Sequence, residues 1–100
     1  MATRAFITEF REWPSQRNLV MAKWSSSVVE QTPIADITTS QQSAAFAATT
    51  RYIMFTCDGA FSWTIGSNPT ATTSKMRFAA DTVYHIQVQP GDKIAFIANT

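Results

Sequence analysis

Between residues 51 and 97 the chain is a succession of short runs in which apolar and polar side chains alternate, each bounded by turn-forming residues. Residues 51–57 are rich in the aromatic and β-branched types that suit a pleated surface, and residues 60–65 alternate so that Phe61, Trp63 and Ile65 share one face. Asp58-Gly59 lies between these two runs. The pair tolerates positive φ, so it predicts a tight hairpin turn with Trp63 facing the core beside Ile53 or Phe55. Residues 66–74 read as a polar loop punctuated by Asn68-Pro69, with nothing apolar enough to bury. Residues 75–78 alternate charge and apolar side chains like a half-exposed strand. In residues 82–88 the set Tyr84, Ile86 and Val88 points inward, against Val83, His85 and Gln87. Pro90-Gly91-Asp92 fits a turn with Pro at its first central position, and the apolar run 93–98 predicts a last strand buried on both faces.

The first half is less regular. Residues 5–10 read as an extended strand or as an arm with Phe6 and Phe10 on one side, until Trp13-Pro14-Ser15 interrupts them. Residues 18–24 fit either a strand or a pair of helical turns. Ser25-Ser26-Ser27 separates them from Val28-Val29-Glu30-Gln31, and residues 34–39 read as another short strand. The alanines of residues 41–48 are compatible with a helix, but their Thr and Ser neighbours and the β context favour a strand with a loop. About eight short strands at regular spacing, with no convincing long helix, predict an all-β fold. The expected form is a single compact β-sandwich, jelly-roll-like, formed by residues 15–100 with residues 1–14 as an extended N-terminal arm.

Composition narrows the chemistry. The 100 residues are 45% hydrophobic and 12% aromatic, enough for one core and too apolar for general disorder. Charged residues make up 15%, below the roughly 25% of an average domain. A net charge of +1 supplies no basic footprint for nucleic acid or an anionic membrane. No run approaches the roughly 20 apolar residues of a membrane span, and the opening stretch has no signal-peptide core. With one cysteine, Cys57, and one histidine, His85, neither an intrachain disulfide nor a thiolate or histidine metal cage can be assembled. Both sit in apolar stretches with strand character, which suits core or sheet-face roles better than a nucleophile and base. The three glycines are too far apart for a phosphate-cradling loop. Glu9 and Glu12, set among Arg4, Arg11 and Arg17, read as solvated charge rather than an acid/base pair. The sequence therefore predicts no catalytic residues, no cofactor, no metal and no enzyme activity.

Three runs carry a resemblance: "TRYI" at residues 50–53, "WTIGSNPTAT" at 63–72 and "VQPGDKIAFI" at 88–97, with "ATRAFITEF" at residues 2–10 beside them. Over a little more than half of the chain it resembles the small capsid decoration, or cement, proteins of tailed bacteriophages. None of these runs is a catalytic or ligand signature, and residues 11–43 match no pattern of that group. The resemblance implies a virion structural protein that is assembled in the host cytoplasm. It would sit on the capsid exterior and clamp neighbouring major capsid proteins, with an arm or a second copy (dimer or trimer) spanning the junction and no direct contact with nucleic acid or membrane. Phe6, Phe10 and Trp13 are the expected partner-interface residues, because aromatics concentrate binding energy at interface cores. The same three residues could instead complete the core. A competing expectation is a tail-associated module that binds a receptor or carbohydrate through Trp13, Trp24 and Trp63.

Overall fold

The computed structural model describes residues 3–11 and 27–100, which form seven β-strands and no helix. Four strands make one antiparallel sheet in the order β2-β1-β4-β6: β1 (Ala5–Phe10), β2 (Ser27–Glu30), β4 (Tyr52–Cys57) and β6 (Tyr84–Gln87). The second antiparallel sheet, in the order β3-β7-β5, contains β3 (Gln41–Gln42), β5 (Phe61–Gly66) and β7 (Lys93–Ala98). The sheets share one apolar core. Ala5, Ile7, Ile53, Phe55, Cys57 and Val88 line it from the first sheet's side, and Phe61, Ile94 and Phe96 from the second. Ile37 and Phe46 fill it from the connecting segments. Phe55 is the hub. Its ring meets Trp63 at 5.3 Å, Phe96 at 5.7 Å, Tyr84 at 6.0 Å and Phe61 at 6.2 Å between centroids, within the range of favourable aromatic pairs.

Alternation placed the inward sets correctly in β5 and β6. Tyr84, Ile86 and Val88 line the core while Val83 is 51% exposed. The central strand β7 has Ile94, Ala95 and Phe96 buried, as its unbroken apolar run predicts. The turn at Pro90 also forms: Asp92 N donates to Gln89 O at 3.2 Å, and Gly91 at φ +86° supplies the conformation that a type II turn needs at its third residue.

Strand partnership departs from the expectation at Asp58-Gly59. β4 and β5 do not form a hairpin but lie in different sheets, so residues 58–60 carry the chain from one sheet to the other. Both strands have a large apolar face, and opposing those faces buries Phe55 against Phe61 and Trp63, which a flat hairpin would have set side by side. Gly59 lies outside the positive-φ region and is needed for another reason: a Cβ there would come within 2.6 Å of Thr3 Oγ1. The corner is fastened by Arg4, whose N donates to Asp58 Oδ1 at 2.7 Å and whose Nε donates to Oδ2 at 2.9 Å. These bonds hold the Asp58 carboxyl below its ordinary range.

Other expectations are corrected. Residues 5–10 are a strand and not a free arm, because β1 pairs with β2 on one side and β4 on the other and buries Ala5, Ile7, Glu9 and Phe10. Residues 34–39 contribute only a bridge from Ile34 to Ala5, and residues 75–78 only a bridge from Phe78 to Phe61. The loop after β5 does bury apolar atoms: Ala71 is covered, and Pro69 accepts a hydrogen bond from Gln42 Nε2 at 2.8 Å. Trp13, Pro14 and the stretch 18–24 lie outside the described residues.

Candidate functional site

The outward face of the four-stranded sheet follows from the register. Phe6 stands opposite Thr56, Thr8 opposite Met54, and Phe10 opposite Tyr52; on the other side of β4, Met54 faces His85 and Tyr52 faces Gln87. Side chains directly opposite one another share a face, so these residues form one surface. Its two ends differ. At one end Phe10 and Tyr52 are buried with rings stacked at 4.8 Å, and His85 lies 6.4 Å from Tyr52. At the other end Phe6, Thr8, Met54, Phe55, Thr56 and Val83 line an open groove of about 170 Å³ without a charged side chain. That volume is comparable to a cavity that takes up a benzene-sized apolar group. Arg4 rims the groove with its guanidinium 5.2 Å from the Phe6 ring centre, in cation–π range.

Two polar atoms on this face lack a hydrogen-bond partner among the described residues, Thr56 Oγ1 and His85 Nδ1. Burial pushes the His85 imidazole below its ordinary pKa, which favours the neutral ring. The groove is therefore apolar and partly dehydrated, and the nearest charges are Arg4 over the Phe6 ring and the exposed Glu30, which β2 places opposite Thr8 on the same face. It can bury an apolar side chain and satisfy a hydroxyl.

The other titratable candidates are separated from one another. Cys57 is buried on the inward face of β4, where burial, and secondarily the neighbouring Asp58 charge, push its thiol up to about 12. His85 is on the outward face, so the two cannot act as nucleophile and base. Glu9 corrects the expectation of solvated charge, since it is 1% exposed and points inward. Its carboxylate accepts hydrogen bonds from Thr50 Oγ1 at 2.7 Å, Ala47 N at 2.9 Å and Gln31 Nε2 at 2.7 Å. It therefore fastens two connecting segments to β1. A signal for this was present: in the alternation Ala5, Ile7, Glu9 a charge occupies an inward position. Among the described residues no three His, Cys, Asp or Glu side chains come together as a metal ion would need.

Of the expected interface residues, Phe6 lines the groove, Phe10 is buried in the stack with Tyr52, and Trp13 lies outside the described residues. Trp63 is not available to stack on a sugar ring, because its indole packs between Phe55 and Phe78 with Nε1 buried. Trp24 is also outside the described residues. Val83 and Met54 were missed as interface candidates. Their strand parity opposite Phe6 and Thr8 was visible only once β1 was known to pair with β4. Comparison with protein-family models, curated proteins and solved structures finds no match for this chain.

Proposed function

We propose that this chain is a structural, non-enzymatic protein of a bacteriophage virion that binds the outside of the capsid and stabilises contacts between neighbouring major capsid proteins. The observation that carries the reading is the apolar groove at Phe6, Met54 and Val83 on the outer face of the four-stranded sheet, with the Arg4 guanidinium over the Phe6 ring. Such a surface suits an apolar side chain of a protein partner, with the arginine left at the rim where charge contributes orientation more than affinity.

The architecture supports the same reading. After β2 every connection crosses between the two sheets, as in the wrapped hairpins of a jelly roll, an arrangement recurrent among viral capsid domains. Phe78, bridged to the open side of β5, takes the place of a further strand in the second sheet. The three resemblance runs fall on the start of β4, on β5 with its following loop, and on the Pro90 turn with β7.

A lattice-specific clamp binds the assembled shell and not its free subunit, because a site composed across two shell proteins exists only after assembly. Co-sedimentation of the purified protein with undecorated capsids, beside a pull-down with free major capsid protein, tests this. The expected result is saturable binding to capsids alone, weakened by Phe6→Ala. Equal binding to both forms would overturn the reading.

A further inference from the structure

A sheet edge exposes a row of unpaired N–H and C=O groups, and folded proteins blunt such edges with charges, prolines, bulges, brevity or a covering segment. Three of the four edges here are blunted. β3 is two residues long; β2 carries the exposed Glu30 beside a register irregularity at Glu9 and Phe10. β5 is covered by Phe78, which exchanges two backbone hydrogen bonds with Phe61 at 3.1 and 2.7 Å. β6 has none of these devices. Its sequence, Tyr-His-Ile-Gln, contains no charge, proline or glycine, and no segment among the described residues lies along its open side.

The orientation of its backbone follows from the ladder. Val88 N donates to Arg51 O at 3.0 Å, and Asp58 N donates to Arg4 O at 3.1 Å on the opposite side of β4. Antiparallel pairs alternate between bonded and non-bonded, so Tyr84, Ile86 and Val88 turn their main-chain groups toward β4. His85 and Gln87 turn theirs away. Two N–H donors and two C=O acceptors thus face outward with no partner among the described residues, next to the half-exposed Val83.

We propose that the β6 edge pairs antiparallel with β6 of a second copy, joining two four-stranded sheets into one continuous sheet across a two-fold axis. This inference stands independently of the capsid reading. A second copy is the fitting occupant because strand addition needs another extended, uncharged and unprotected edge, and β6 of a second copy offers one along its whole length, whereas the edge of β5 is interrupted by the Phe78 bridge at Phe61. A net charge of +1 gives little self-repulsion. Parity fixes the faces: outward-facing residues of one copy must oppose outward-facing residues of the other. Placing His85 opposite Gln87 of the second copy, twice, satisfies all four free groups without setting two histidines against each other. Ile86 then meets Ile86 of the second copy on the core side of the sheet.

Sedimentation equilibrium and backbone amide exchange test this together on the intact chain. The expected result is a reversible monomer–dimer equilibrium, with slowed exchange at His85 and Gln87 as protein concentration rises. Gln87→Lys places a charge on the exposed edge, and Gln87→Pro deletes an outward donor without removing a bond to β4. Each should give a monomer whose melting temperature equals that of wild type at concentrations low enough for wild type to be monomeric, while Ser67→Lys, on the loop after β5, should remain dimeric. A chain that stays monomeric at millimolar concentration, a trimer, or a dimer that survives in both Gln87 variants would overturn the proposal. So would fast exchange at His85 and Gln87 in the dimer.

Discussion

The three-stranded sheet has its outer side covered by its own chain. Ser62, fully buried there, donates to Lys75 O at 3.2 Å and accepts from Asn99 Nδ2 at 2.8 Å; Ala71 N bonds to Ser40, and Phe78 closes the edge. The four-stranded sheet has the Phe6 groove on its outer face and the bare β6 strand at its edge. Core packing is shared, so the difference is not one of stability. What differs is which backbone and apolar groups the chain satisfies by itself. The three-stranded sheet is largely covered, with the buried Trp63 Nε1 left without a partner among the described residues, and the other presents both apolar and backbone groups on adjoining surfaces. Interaction with other molecules is therefore expected from the four-stranded sheet, and mutations should divide accordingly.

The largest effect is expected where the two sheets meet. Trp63→Ala removes the indole wedged between Phe55 and Phe78 and should cost about 3–5 kcal/mol, read as a lower midpoint in denaturant unfolding. An unchanged midpoint would show that the shared core has been wrongly described. Next is Glu9→Gln, which keeps an oxygen for Thr50 and Ala47 but sets an amide donor against Gln31 Nε2 and should cost about 1–3 kcal/mol. If the midpoint did not move, the fastening of Gln31 to β1 would not depend on the carboxylate.

Cys57 gives a pH test of the core. Its folded pKa is raised, so the unfolded thiol ionises first, and stability falls as pH climbs from the ordinary thiol value near 9 toward about 12. Wild type should therefore lose about 1 kcal/mol relative to Cys57→Ala between pH 8 and 10, measured as converging unfolding free energies. Parallel pH profiles would place the thiol in contact with water. At neutral pH, labelling by a thiol reagent should be slow. The smallest stability effect belongs to the open face: Phe6→Ala should change stability by about 1 kcal/mol or less while weakening partner binding. A large loss of stability would make Phe6 a core residue and erase the contrast between the sheets.

The sequence was legible wherever the information was local. Residue type identified β4, alternation identified β5 and β6 with their inward sets, and Pro90-Gly91 specified its turn. It also brought Trp63 to Phe55, though across two sheets and not along a hairpin. The strand pairing was not legible, because Asp58-Gly59 specifies a change of direction and says nothing about which sheet receives the next strand. Residues 5–10 could be read either way until their neighbours β2 and β4 were known. The coverage of Ala71 depended on Ser40 and Gln42, far away in sequence. Of the candidate site, Phe6 was found from its aromatic type; Met54 and Val83 required the register.

The position of β1 has a consequence for how the chain acquires its fold. β1 lies between β2 and β4, so one of its two ladders joins residues from nearly opposite ends of the first sixty positions. Closing so long a loop costs entropy before any contact repays it, and topologies dominated by such pairings fold in milliseconds to seconds, not microseconds. On the ribosome Ala5 and Ile7 emerge long before Phe55 and Cys57 exist to receive them. For that interval the strand is an apolar segment without its main partner, and a nascent chain stalled before residue 52 should be the species most dependent on chaperones.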